Sequence, residues 1–128
     1  MVSSITNGIK VSVEVFYQID FSRPKFNEFI FTYRVNIENG SPYTVRLLAR
    51  HWHIFDSINK HSEVKGDGVV GRQPILEPNQ SYSYVSGCNL ESELGYMEGS
   101  YTMERISNGK LFTVDIPVFT LEATPKLN

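Results

Sequence analysis

Regular alternation of apolar and polar side chains along three long segments is the feature that most constrains this chain. From Ile9 to Ile19 every odd-numbered residue is apolar, and every even-numbered residue except Phe16 is polar. The same alternation runs from Phe29 to Glu38, with Ile30 as the exception, and in part from Thr44 to Asp56. A period of two is that of a β-strand, whose successive side chains point to opposite faces, and not that of a helix. The sequence therefore predicts strands that each bury one face.

The amino-acid composition agrees with a sheet structure. The chain has 12 Val, 10 Ile and 16 aromatic residues but only two Ala, and β-branched and aromatic side chains favour strands whereas Ala favours helices. Clusters of turn residues separate about seven short strands. We predict an all-β fold, an immunoglobulin/fibronectin type III-like antiparallel β-sandwich, in one domain over residues 1–128 with a core over about residues 9–121. Met1–Gly8 and Thr124–Asn128 are expected to be tails.

The third segment predicts a central strand, because both of its faces are partly apolar. Strict alternation puts Val45, Leu47, Ala49, His51, His53 and Phe55 on one face and Arg46, Leu48, Arg50, Trp52 and Ile54 on the other. We expect Trp52 to be buried between two sheets.

Two regions further along the chain interrupt the simple pattern. Gly87–Gly95 is expected to be irregular, with Asn89 capping one helical turn. In the last strand, Phe112 to Ile116 and Phe119 to Leu121 have apolar residues of opposite parity, with Pro117 between them. One inserted residue exchanges the two faces of a strand, so this pattern predicts a bulge at Pro117.

A glycine-rich segment, Gly66–Gly71, matches the pattern G-x-G-x-x-G. Dinucleotide-binding sites with this pattern need a helix directly after it, and Gln73-Pro74 excludes one here. Two interpretations remain. In the first, which we favour, the glycines form a tight connection with positive φ angles. In the second, backbone N–H groups face a small anion, pyrophosphate or a nucleotide; the candidate residues are Lys65, Gly66, Gly68, Gly71 and Arg72.

His51 and His53 are two residues apart on one strand, so both point the same way. Such a pair can chelate Zn²⁺ or Co²⁺ if His61 or Glu63 supplies a third ligand. Two ligands alone do not close a metal site. We therefore expect one or both of these histidines to pack beside Leu47 and Phe55, with ring nitrogens that do not converge on a third ligand, and we predict no metal centre.

The sequence shows no pair of nucleophile and base that is typical of an enzyme, and no cofactor motif. Cys88 is expected to be a small buried apolar residue and not a reactive thiol. We predict a protein that is not an enzyme.

Charge and segment composition limit the partners. The net charge is −2 and the pI is near 5.9. Nucleic-acid-binding proteins normally have a strong basic excess, so we expect no nucleic-acid partner. No apolar run is long enough to span a bilayer, and the N-terminus lacks a secretory signal. The single cysteine cannot form an intrachain disulfide, which is typical of a reducing compartment. We therefore expect no membrane partner and a cytoplasmic location.

Several motifs together resemble the ApaG family. They include Arg50-His51-Trp52-His53-Ile54, the segment from Gly66 to Pro74, Leu76-Glu77-Pro78, and the two segments Tyr84–Leu90 and Gly95–Met103. Ile116–Leu121 fits the same pattern, so that the resemblance covers about residues 9–121. Asn79 stands where the family has a glycine.

The resemblance implies a fibronectin type III-like sandwich in a small bacterial cytoplasmic protein. It links the family to cobalt and magnesium tolerance and, by gene neighbourhood, to diadenosine tetraphosphate breakdown. Related domains in eukaryotic F-box and polymerase-interacting proteins are interaction modules. The resemblance supplies no catalytic residues. We expect a non-enzymatic binding or regulatory module, a monomer or homodimer with an unidentified protein partner; binding of a small anion or of a divalent metal is the alternative.

Overall fold

The computed structural model describes residues 1–124. Of the expected C-terminal tail, Thr124–Asn128, all but Thr124 lies outside the described residues. These residues form nine strands and one short 3₁₀ turn, Pro24–Phe26. The strands are β1 Val2–Thr6, β2 Ile9–Tyr17, β3 Phe29–Asn39, β4 Val45–Asp56, β5 Lys60–Asp67, β6 Ile75–Leu76, β7 Ser81–Leu90, β8 Leu94–Arg105 and β9 Leu111–Glu122.

Two antiparallel sheets pack face to face as a sandwich. The first has the strand order β1-β2-β3-β7, and the second has β5-β4-β8-β9 with the short β6 paired to β4. Strands β1 and β2 lie against β9 on one side of the sandwich. The Ser4 hydroxyl donates to the Asp115 carbonyl, and the Thr6 hydroxyl accepts from the Asp115 N–H. The predicted β-sandwich is therefore confirmed.

The N-terminal segment is part of the first sheet, and its prediction as a tail was wrong. Strand β1 pairs antiparallel with β2. Asn7 and Gly8, with φ angles of 50° and 81°, form the two-residue turn between the strands. An Asn-Gly pair between two strands is a strong hairpin signal. Asn7-Gly8 is therefore the sequence feature from which β1 could have been predicted.

The core lies between the sheets and contains the alternating residues that the sequence predicted. From the first sheet come Ile9, Val11, Val13, Phe31, Tyr33, Val35 and Ile37. Trp52, which is 3% exposed, contacts Tyr33 and Phe119 edge to face at centroid distances of 5.4 and 5.8 Å. Its predicted burial is confirmed.

A bulge in β4 changes the predicted faces of that strand. Leu47 pairs with Met103 and Ala49 pairs with Thr102, so Leu48 is one residue more than β8 can match. The extra residue exchanges the faces beyond it. Leu47 and Trp52 consequently both point into the core. His51 does not pack beside Leu47 as expected, whereas the expected packing beside Phe55 does occur, since the His53 ring stacks on it at 6.5 Å.

A second bulge lies in β9, where the sequence predicted it. Met97 pairs with Phe119 and Gly99 pairs with Ile116, so Pro117 and Val118 face Glu98 alone. The bulge lets Ile116 and Phe119 both enter the core.

The prediction of an irregular segment at Gly87–Gly95 was wrong for most of its residues. Strand β7 continues to Leu90 and β8 begins at Leu94, so that within Gly87–Gly95 only residues 91–93 lie outside strands. Asn89 caps no helical turn, because it pairs with Ile30 in the first sheet. Asn79, at the family's glycine position, has a φ of 71°, a left-handed conformation that Asn tolerates better than most residues.

None of the helical structure within residues 1–124 has the length and apolar character needed to cross a membrane.

We expect Trp52→Ala to lower the free energy of unfolding by about 3–5 kcal/mol, because it leaves a cavity between the sheets. Chemical denaturation followed by circular dichroism measures the change. Val118→Ala, at a side chain that is 54% exposed, serves as control and should change it by less than about 0.5 kcal/mol. Equal losses in the two variants would contradict this packing.

Candidate functional site

The glycine-rich segment forms the tip of a hairpin. Val69 and Arg72 pair with each other, and Val70 and Gly71 between them have φ angles of 46° and 75°. Positive φ at both central residues defines a two-residue turn that matches the twist of paired strands. Gly71 therefore serves the turn itself.

Backbone N–H groups of this segment already have acceptors. The Gly68 N–H donates to the Leu48 carbonyl at 2.7 Å, and Val69 and Arg72 donate to each other's carbonyls at 2.7 and 3.0 Å. Three of the donors that an anion nest would use are thus directed at carbonyl oxygens. The geometry favours the tight-connection interpretation over the nest, and anion binding by the N–H groups of this loop stays a prediction.

Gly66 makes room for Arg50. A β-carbon at Gly66 would lie 2.8 Å from both Nη1 and Nη2 of the Arg50 guanidinium. Nη1 of Arg50 donates to the carbonyls of Asp67 and Gly68 at 2.9 and 3.1 Å. Arg50 therefore holds the base of the hairpin, and the glycine pattern serves this contact.

The two cations predicted beside the loop do not converge. Lys65 points to the outer face of β5, where its Nζ lies 3.6 Å from Oε1 of Glu63. Arg72 is exposed at the hairpin tip. Arg50, on the inner face, is the cation that contacts the loop.

A cluster of imidazoles and a carboxylate lies on the outer face of the second sheet. Strand β4 contributes His51 and His53, and β5 contributes His61 and Glu63. Ligand atoms of His51, His53 and Glu63 all lie within 4.8 Å of one another. The rings lie nearer to a third ligand atom than we expected, because the Leu48 bulge turns them away from the core and β5 pairs beside them. The absence of a metal centre stays a prediction.

Contacts within the cluster follow diagonals of the β4–β5 ladder. His51 Nε2 contacts Oε1 of Glu63, and His53 Nδ1 lies 3.1 Å from Nε2 of His61. Two nitrogens that share a tetrahedral Zn²⁺ with bonds of about 2.0–2.1 Å are about 3.3 Å apart. The His53–His61 separation is that of a hydrogen bond between the two rings, and it is also close to the separation of two ligands of one ion.

The surroundings of Glu63 favour its ionised form. The hydrogen bond with His51 lowers the pKa of Glu63 most; desolvation, the next-largest effect, opposes this, and the Lys65 ammonium lowers the pKa further. An ionised carboxylate beside imidazoles is a suitable set of ligands for a divalent transition metal.

Stacked rings continue this outer face toward β8. The Phe55 ring stacks on Tyr96 at 4.4 Å and on His61 at 4.5 Å, with interplanar angles of 15° and 12°. Beside them is a groove of about 510 Å³ whose lining includes Leu94 and Val118. Tyr96 is 39% exposed and Val118 is 54% exposed. We call the surface formed by Phe55, His61, Tyr96 and Val118 the aromatic patch.

Burial and hydrogen bonding also shift the pKa values of titratable groups outside the cluster. Burial raises the pKa of the Cys88 thiol to about 11, so it is protonated at neutral pH. Burial also raises the pKa of Tyr84 and Tyr101, whose hydroxyls bond to each other. Partial burial acts to raise the pKa of Asp56, but hydrogen bonds from the Ser92 hydroxyl and backbone N–H groups outweigh it and lower the pKa.

Comparison with known proteins places these features in a family context. Residues 19–105 match a family model described as DUF525, ApaG domain. The chain is 48% identical to Protein ApaG of Brucella anthropi over 122 residues, which cover 95% of this chain and 93% of that protein. It is 46% identical to Protein ApaG of Paramagnetospirillum magneticum, with full coverage of both chains.

Solved structures show the same likeness. A crystal structure described as that of an ApaA protein from Bordetella pertussis superposes with a TM-score of 0.88 at 36% identity, covering 92% of this chain and 95% of that one. The C-terminal domain of wzt, at 7% identity and a TM-score of 0.57, covers 98% of this chain and 79% of its own; it shares the fold alone.

We expect Gly68→Ala to destabilise the protein more than Gly71→Ala. Both residues have positive φ, which costs an alanine about 1 kcal/mol. A β-carbon at Gly68 would also lie 2.2 Å from the Arg72 carbonyl oxygen, whereas one at Gly71 would meet nothing within 4 Å. We expect losses of about 1 kcal/mol for Gly71→Ala and at least about 2 kcal/mol for Gly68→Ala.

Thermal and urea unfolding measure both changes. Gly87→Ala is the control, since its added β-carbon would make only an ordinary contact with the Phe31 carbonyl at 3.5 Å. If Gly68→Ala were no more destabilising than Gly71→Ala, the close approach at Arg72 would not be the reason for this glycine.

Proposed function

This chain belongs to the ApaG family, and on that premise we propose that it is a non-enzymatic binding module with a divalent transition-metal ion as one ligand. The proposal rests on one observation, the convergence of His51, His53 and Glu63 on the outer face of β4 and β5. The Cys88 thiol, which burial keeps protonated at neutral pH, is unsuited to act as a nucleophile, and this supports binding over catalysis.

The donor set decides which ions fit. Imidazole nitrogen suits Zn²⁺, Co²⁺, Ni²⁺ and Cu²⁺, whereas Mg²⁺ requires oxygen ligands in an octahedral arrangement. Glu63 is the single carboxylate that the cluster contributes. Of the two metals to which the family resemblance points, cobalt is therefore the one that these residues would bind. His61 lies 3.1 Å from His53 but is outside the group of mutually close ligand atoms, which consists of His51, His53 and Glu63.

A second candidate function, docking of a protein, is favoured by the aromatic patch. Exposed aromatic rings are typical of protein interfaces, and here Tyr96 and Val118 lie beside an apolar groove. The patch shares Phe55 and His61 with the surroundings of the metal cluster, so that one face of the second sheet would serve both ligands. We propose this face, in a cytoplasmic protein, as the working surface of the module.

We expect Co²⁺ and Zn²⁺ to bind the wild-type protein with one site, and Mg²⁺ not to compete. Calorimetric titration should show a loss of affinity of about tenfold or more in His53→Ala and in Glu63→Gln, because each removes a ligand. Affinity should fall as the pH is lowered, since protons compete for imidazole nitrogen.

The matched control is Lys65→Ala on the same face of β5. It removes a positive charge 3.6 Å from Glu63 and keeps every ligand, so its metal affinity should be unchanged or higher. Equal Co²⁺ affinity in wild type and in the double variant His51→Ala, His53→Ala would overturn the metal proposal.

For the protein-docking candidate, we expect a photoreactive amino acid at position 118 to form a discrete cross-linked product in growing cells. The same substitution at position 85 is the control, because Val118 and Val85 are 54% and 58% exposed and lie on different sheets. A product at position 118 alone supports docking on the aromatic patch. The same products at both positions, or none at either, would exclude it.

A further inference from the structure

A second cavity lies on the inner side of β4, opposite the metal cluster. It has a volume of about 280 Å³ and opens between the edge strands β5 and β7, next to the glycine hairpin. Its polar lining is Arg50, Tyr33, Tyr84 and Ser86, and its apolar wall includes Trp52 and Val64. We call it the Arg50 cleft.

Arg50 brings a positive charge into this cleft without a carboxylate partner. Within residues 1–124, the ion pairs involve other residues and none joins Arg50 to Asp or Glu. Its Nη1 is held by the Asp67 and Gly68 carbonyls at 2.9 and 3.1 Å. In the same part of the chain, Nη2 and Nε of Arg50 make no hydrogen bond to protein acceptors, so two sides of the guanidinium remain available to a ligand.

Three hydroxyl-bearing side chains, Tyr33, Tyr84 and Ser86, line the same cleft as Arg50. The Tyr84 hydroxyl is bonded to the Tyr101 hydroxyl, so Tyr33 and Ser86 are the hydroxyl groups that the cleft offers to a ligand. A guanidinium with neighbouring hydroxyl donors matches a carboxylate or a phosphate, because its planar donors pair with two oxygen atoms at once.

We propose that the Arg50 cleft binds a small organic oxyanion, a carboxylate or a phosphate monoester, with its charged head on Arg50 and Ser86 and its apolar part against Trp52 and Val64. Ligand sites usually have volumes of about 300–1,000 Å³. A cleft of about 280 Å³ therefore fits a ligand of about one ring and excludes a whole dinucleotide. The site is separate from the proposed metal cluster, and neither depends on the other.

Trp52 provides the measurement, since it is the single tryptophan of the chain and lines the cleft. Phenyl phosphate, benzoate and inorganic phosphate are titrated while Trp52 fluorescence is recorded, and calorimetry checks the affinity. We expect saturable binding of phenyl phosphate or benzoate and weaker binding of inorganic phosphate, which lacks the apolar part. The ratio of the first two affinities tells which oxyanion the cleft prefers.

Two variants test the proposed contacts, one at Arg50 on β4 and one at Ser86 on β7. Arg50→Lys keeps the charge but loses the planar donors, and we expect affinity to fall about tenfold or more. Ser86→Leu fills the cleft from β7 without changing the bonds between Arg50 and the hairpin, and it should also abolish binding. Thermal unfolding is measured for each, so that if Arg50→Lys fails to fold, Ser86→Leu decides.

The controls are Val85→Leu, on the outer face of the same strand, and Arg72→Ala, at the hairpin tip. Both should bind the probes as the wild type does, and Arg50→Lys should keep its Co²⁺ affinity. The proposal is overturned if no probe binds at millimolar concentration, or if Ser86→Leu binds as tightly as the wild type. Loss of binding in Arg72→Ala alone would move the anion to the hairpin tip and equally overturn it.

Discussion

The insertion of a single residue, Leu48, into β4 is the constraint on which both proposed sites depend. Because side chains alternate along a strand, one extra residue exchanges the two faces for the rest of β4. Val45 and Leu47 point into the core before the bulge, and Trp52 does so after it. Without the bulge, His51 and His53 would enter the core, and Trp52 and Arg50 would face solvent.

The bulge also explains why one strand presents two different chemistries. On the outer side, diagonal pairing with β5 brings imidazoles and Glu63 together. On the inner side, Arg50 projects beyond the apolar core into the gap between the edge strands. A charged side chain at the inner face is tolerated there because backbone carbonyls of the hairpin hydrogen-bond to it and the cleft admits water.

The glycine pattern acquires a structural reason from the same strand. Gly66 leaves the space that the Arg50 guanidinium occupies, and Gly68 allows the chain to approach the Arg72 carbonyl. The loop thus supports the Arg50 cation through the carbonyl oxygens of Asp67 and Gly68. If an oxyanion binds near this loop, the charge that attracts it comes from Arg50, one strand away in the fold and 16 positions earlier than Gly66 in the sequence.

The sequence by itself determined the class of fold, the inner faces of β2 and β3, and the bulge at Pro117, because period-two patterns and turn residues are local properties of the chain. It also supplied Asn7-Gly8 as a hairpin signal and both possible third ligands, His61 and Glu63. Only the tertiary structure decided which face of β4 carries the histidines and where Arg50 points. The Leu48 bulge arises from pairing with β8, more than 50 residues away, and both faces of β4 are partly apolar, so no local pattern distinguishes one register from the other.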